Sequence, residues 1–187
     1  MTKPRFTPLS AKMIATTKTE NASTEVGQAN GWPLSNTLSL TIICMVAVLT
    51  RLWYTFDQSV TYDEFYELQL SKQTLTHIAF RGDGFPPLYS AILHFWQGLF
   101  GSYAGIGTAR AFSIILGVAC CPAIFFTAKR AACKKAGLVA AGLLAILPIH
   151  MFYTSEARAY SLLLLITCLA THAALHAIEN RTITSWM

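Results

Sequence analysis

The sequence predicts an all-α, polytopic transmembrane protein, and three observations predict it. Of its 187 residues, 53% are hydrophobic and only 12% are charged, where an average soluble chain has about 25% charged residues. Its mean hydropathy is +0.45. Its apolar residues gather into four runs, each near the length of about 20 residues that a helix needs to cross a bilayer. This composition excludes a disordered chain. The net charge of +5 does not point to nucleic acid as a partner. The bases sit at the ends of apolar runs, where they orient helices in a lipid bilayer, and not on one soluble face.

Residues 1–33 are polar, rich in Ser and Thr, and carry Lys3, Arg5, Lys12 and Lys18. A secretory signal would bring its apolar region sooner, and Glu20 and Glu25 count against a transit peptide. The stretch reads as a cytoplasmic tail, and Asn21-Ala-Ser23 fits a glycosylation sequon only in a luminal tail. The membrane domain follows over 34–178, with spans predicted at 34–52, 103–128, 136–152 and 160–178 and a long loop at 53–102. Lys129, Arg130, Lys134 and Lys135 join the second span to the third. The positive-inside rule then puts that link and the tail in the cytoplasm, and the loop 53–102 and the link around Thr154–Arg158 outside. The stretch 85–101 has an apolar helical face, with Leu88, Ile92, Phe95, Trp96 and Leu99 close together on it. A crossing there would move the Lys- and Arg-rich link outside, so it is placed at the outer interface. Residues 179–187 form a short cytoplasmic end.

The acidic, aromatic-rich loop between the first two spans is where chemistry is expected. Neighbouring Asp63 and Glu64 at a membrane surface suit a general base and an orienting or metal-binding partner. A sugar or lipid hydroxyl is a weak nucleophile, and a carboxylate can take its proton as it attacks. A structural reading stands beside this one. Thr61-x-x-Glu64 is a capping box, with Asp63 in the first turn of the helix it starts. Likewise Gly82-Asp83-Gly84 before Pro86-Pro87 is ordinary turn chemistry ahead of a helix. At the outer end of the fourth span, Glu156, Arg158 and Tyr160 read either as an interfacial belt or as a site, since charge at that depth is often functional. A guanidinium there can hold a lipid phosphate through two hydrogen bonds. Arg110, inside the second span, either snorkels outward or faces the same cavity.

Cys44, Cys120, Cys121, Cys133 and Cys168 are odd in number and form no CxxC pair, so they read as small apolar packing residues. His172 and His176 lie one helical turn apart but lack a third ligand, and they read as structural. His94 and His150 are lone and read as packing or interfacial.

Taken in order, these pieces resemble a known family. An apolar span ends Arg51-Leu52-Trp53, then come Asp63-Glu64 and Asp83-x-Phe85-Pro86-Pro87-Leu88-Tyr89. Trp96, Phe100-Gly101, Arg110 and Ser113 follow, and then Tyr153-x-Ser155-Glu156-Ala157-Arg158-x-Tyr160-Ser161-Leu162. The set resembles the N-terminal portion of the integral-membrane GT-C glycosyltransferases, closest to the Rgt-like and protein O-mannosyltransferase-related branch, over about residues 35–165. The resemblance implies a polyprenyl-phosphate-linked sugar as donor and a lipid, glycan or protein hydroxyl as acceptor, with transfer on the non-cytoplasmic face of a bacterial inner membrane. It implies Asp63 as catalytic base with Glu64 beside it, and a substrate-binding set of Asp83, Arg110, Glu156, Arg158 and Tyr160, with Arg158 near the lipid phosphate. No cofactor is named by it, and a divalent metal is left open. Family members usually have His before Pro-Pro, where this chain has Phe85. They also continue through further spans, so the chain is expected to be an N-terminal piece of the enzyme. Two other functions remain open: a four-span transporter subunit, which the scarcity of intramembrane charge argues against, and a non-catalytic membrane scaffold.

Overall fold

A computed structural model describes residues 34–56, 58–80 and 87–180, with the side chains of 34–36 and 180 left aside. The tail 1–33, Asp57, the turn at 81–86 with Asp83, and 181–187 lie outside the described residues. The chain divides into two units at Thr37–Leu38, and apart from the first residues of its first helix every element below belongs to the second, Leu38–Met187. Among the described residues all regular structure is helical. The protein is a polytopic helical membrane protein, with three helices long and apolar enough to cross a bilayer and a fourth crossing if one bent pair counts as a span.

Helix α1 (Leu34–Phe56) is the first of these. Leu38, Ile42, Met45, Leu49 and Trp53 form an exposed apolar face, as lipid contact requires, while Ala47 and Arg51 turn inward and are fully buried. Three short helices come before the second crossing: α2 (Tyr62–Ser71), α3 (Leu75–Phe80) and α4 (Pro87–Gly98). The first two are separated by a break between Ser71 and Leu75. Gly101, at φ 52°, opens a 3-10 turn to Tyr103 in the left-handed region that favours glycine.

Helix α5 (Ile106–Ala131) is central and packs against α2, α4 and the three helices after it. Its inward face meets Leu68, Tyr89, Leu93, Ala157 and Leu162 around Ala109 and Phe112 in the main core. The α4 helix is fastened to the start of α5 by polar contacts. Trp96 Nε1 donates to Thr108 O at 2.8 Å, Gln97 Nε2 donates to Gly105 O at 3.1 Å, and the Thr108 hydroxyl lies 2.8 Å from Gln97 Oε1. A second, smaller core of Ala47, Cys121 and Ala145 lets α1, α5 and the next helix approach closely.

The apolar run expected as one span over 136–152 is two helices. Helix α6 (Lys134–Ile146) and helix α7 (Pro148–Ser155) meet at a bend of 60°. Pro148 is the cause. It lacks the N–H that would continue α6, and it sits at the favoured first position of the next helix. Leu147 between them is extended. Helix α8 (Tyr160–Asn180) completes the set and packs along α5.

Candidate active site

The site is built where the start of α2, the outer part of α5 and the link Glu156–Ala159 between α7 and α8 converge. Thr61 caps α2. Its hydroxyl accepts from Glu64 N at 3.4 Å, and Glu64 Oε2 accepts from Thr61 N at 3.1 Å. The capping box expected from the sequence is thus present, and it fixes Asp63 and Glu64 in the first turn of a rigid helix.

The two acids have different surroundings. Glu64 is fully buried and faces Arg110. Arg110 Nε donates to its Oε1 at 2.9 Å and Nη2 donates to its Oε2 at 2.7 Å, a two-point pair. Ala157 N, from the link after α7, donates to the same Oε1 at 2.8 Å. Arg110 has further acceptors in Gln58 O and Ser59 O, both at 3.0 Å. Of the two alternatives open for Arg110, the structure therefore gives the inward one. Burial alone would push the Glu64 carboxyl up, but the hydrogen bonds from Arg110, Ala157 N and Thr61 N outweigh it and hold its pKa below the ordinary value.

Asp63 points away from that cluster. Its side chain is 55% exposed, and its Oδ2 lies 2.9 Å from Arg158 Nη1, whose side chain is 23% exposed. The Arg158 guanidinium also lies over the Tyr160 ring, 4.9 Å from the centroid, and Tyr160 packs against Tyr153 with centroids 4.6 Å apart. Glu156 is buried beside these groups. Among the described residues its carboxyl accepts no hydrogen bond. Burial, then the neighbouring Glu64, push its pKa up against the pull of Arg158. Five of the seven residues expected at the site, with Glu64 and Arg110 making the inner pair and Asp63, Arg158 and Tyr160 the outer group, are thus joined by contacts. Glu156 lies within electrostatic reach of both groups, and Asp83 lies outside the described residues.

The residues that support this site carry weaker sequence signals. Tyr89 is buried and its hydroxyl lies 2.8 Å from Ser113 Oγ, and Ser90 Oγ donates to Glu67 Oε2 at 2.6 Å, fixing α4 against α5 and α2. His150, expected as a lone packing or interfacial residue, is buried and is a partner of Arg51. Among the described residues no three His, Cys, Asp or Glu side chains converge as metal ligands would. The arrangement offers an accessible carboxylate beside a guanidinium, both held on a buried ionic frame. That can accept a proton from a hydroxyl and neutralise an anionic group within one ion pair's reach.

The model of the dolichyl-phosphate-mannose-protein mannosyltransferase family matches residues 85–187, more than half of the chain, and the chain belongs to this glycosyltransferase family. The matched stretch holds Arg110, Glu156, Arg158 and Tyr160, while Asp63 and Glu64 precede it. No curated protein and no solved structure matches the chain.

Proposed function

We propose that this family member transfers a sugar from a polyprenyl-phosphate-linked donor to a hydroxyl of a lipid, glycan or protein acceptor, on the non-cytoplasmic face of a bacterial inner membrane. The tail is cytoplasmic in this reading, and the loop with Asp63 lies outside. The observation that carries it is the exposed Asp63–Arg158 pair at 2.9 Å, set on the buried Glu64–Arg110 frame. The acceptor hydroxyl gives its proton to the Asp63 carboxylate as its oxygen attacks the anomeric carbon. The bond from that carbon to the phosphate oxygen breaks, and the electron pair leaves with the polyprenyl phosphate. Arg158 faces the charge of the departing phosphate with its planar fork of donors. Attack opposite the leaving group inverts the anomeric carbon.

The same pair implies an order of events. Arg158 pairs with Asp63. A donor phosphate competes for the guanidinium and frees the carboxylate for the acceptor. Glu64, whose oxygens already accept from Arg110, Ala157 and Thr61, is a positioning residue in this scheme. Glu156 and Tyr160 line the donor side, and Asp83 is a further substrate-binding residue in this reading.

The test is transfer of labelled sugar from polyprenyl-phosphate donors in membranes bearing the wild type or Asp63→Asn. Loss of a positioned base lowers the rate by about 10²- to 10⁴-fold. Full transfer by Asp63→Asn would remove Asp63 as the base. If neutral replacements of Asp63, Glu64 and Glu156 all leave the phenotype intact, the protein is a scaffold.

A further inference from the structure

Arg51 lies in a membrane-spanning helix, is fully buried, and among the described residues has no carboxylate partner. A cation at that depth is costly unless charges or carbonyls receive it. Four groups do so here. Nη1 donates to Ala47 O at 2.8 Å and to Ala145 O at 3.2 Å, Nε donates to Thr154 Oγ1 at 3.0 Å, and Nη2 donates to His150 Nδ1. Because a guanidinium keeps its protons, His150 accepts at Nδ1 and its ring is neutral, with the hydrogen on Nε2. The 3.1 Å approach of that same Nδ1 to Leu144 O is then a contact between two acceptors.

Three of the four partners lie on α6 and α7, the helices that meet at the bend. Pro148 and the extended Leu147 leave the last carbonyls of α6 without the N–H groups of a continuing helix. In a bilayer such carbonyls need partners within the protein, and a cation at a helix C-terminus also meets the negative end of its dipole. Arg51 thus caps the bend from the neighbouring helix, and its Nε reaches on to Thr154. Thr154 has little room to move. Its hydroxyl donates to His150 O at 2.7 Å, and a Cβ placed on Gly117 of α5 would stand 2.5 Å from Thr154 Cβ. Four residues later comes Arg158.

We infer that Arg51 is a positioning residue of the donor site. By holding Thr154 against Gly117 it fixes the link Glu156–Arg158 from the membrane side, as Glu64 fixes it through Ala157 N from the outer side, and so sets where Arg158 meets the donor phosphate. This rests on the reading of Arg158 as the phosphate-binding group.

The full chain in nanodiscs is titrated with polyprenyl phosphate, the leaving group of the proposed donor. Arg51→Leu raises its Kd by roughly 10-fold or more, since small misplacements of a positioned group are costly, and Arg51→Lys recovers part of the loss. A purely structural role would reduce the fraction of protein that binds and leave Kd unchanged. Because Arg51 acts through Arg158, Arg51→Leu adds nothing on an Arg158→Leu background. If Arg51→Leu does not fold, Gly117→Ala and Thr154→Val disturb the same clamp from its other sides and raise Kd in the same direction. Unchanged Kd in these folded variants, or independent addition of the Arg51 and Arg158 effects, overturns the inference. A wild type that does not bind polyprenyl phosphate overturns the donor reading, and this inference with it.

Discussion

Replacing Glu64 by Gln changes one oxygen to an NH2 group, and the structure makes that a severe change. Both carboxylate oxygens accept from two N–H donors: Oε1 from Arg110 Nε and Ala157 N, and Oε2 from Arg110 Nη2 and Thr61 N. Whichever way the amide is turned, its NH2 faces two N–H groups. Two charge-assisted hydrogen bonds at about 1.5–3 kcal/mol each are weakened or lost, and Arg110 keeps a buried charge without its counterion. Breaking a buried pair from one side costs about 3–5 kcal/mol, and Glu64→Gln should fall in that range. Replacing both partners, Glu64→Leu with Arg110→Leu, removes the stranded charge. It should cost less than the sum of the single changes by about 3 kcal/mol, the worth of the two shared hydrogen bonds. Denaturant titration in mixed micelles, followed by tryptophan fluorescence, measures all four proteins of the cycle. A Glu64→Gln protein within about 0.5 kcal/mol of wild type, the usual range for a featureless surface change, would refute the reasoning. So would single effects that simply add.

Glu156→Gln should stabilise the protein at neutral pH. The folded pKa of Glu156 is raised by burial and by Glu64, so its favourable protonated form is kept below the ordinary carboxyl pKa and lost as pH rises through the folded value. The difference between Glu156→Gln and wild type should therefore shrink as pH falls to where both states bind the proton, and stability measured across pH checks it. Glu64 has the opposite sign. Its pKa is lowered, so its contribution is present above the ordinary carboxyl pKa and lost as pH falls through the folded one. Glu64→Gln should accordingly flatten the acid limb of the same curve. Ser113→Ala removes the partner of the buried Tyr89 hydroxyl and should cost about 1–3 kcal/mol, seen as a lower denaturant midpoint with the helix content of the native protein retained.

The spans and the capping box were legible because both are local. Hydropathy over about 20 residues marks a helix that lipid can cover, and Thr61-x-x-Glu64 contains its own hydrogen bonds. What could not be read was distance in sequence folded into contact. Arg110 meets Glu64 across 46 residues, and Arg51 meets Thr154 across 103. No periodicity encodes either pairing. The bend in the third apolar run lay between these cases. Pro148 was visible, but an unbroken apolar run on both sides of it reads as one helix until the fold shows what receives the freed carbonyls. The arginine that does so is on another helix, where alone it looks like the end of a span.

The two adjacent acids show why a site of this kind uses a pair. Neighbours on a helix point about 100° apart, so a capped helix start that turns one acid into the protein turns the next outward. Glu64 ties α2 to α5 through Arg110 and to the link after α7 through Ala157, and the cap holds its backbone to Asp63. Asp63 thereby meets Arg158 from a frame that is fixed at the same residue of the link, Ala157, one position away. The two residues of the exposed pair, Asp63 and Arg158, each stand one position along the chain from a residue of the same buried hub, Glu64 or Ala157. Their separation can then be set by the fold, and in the proposed mechanism only the side chains themselves need move when a phosphate takes the place of the carboxylate.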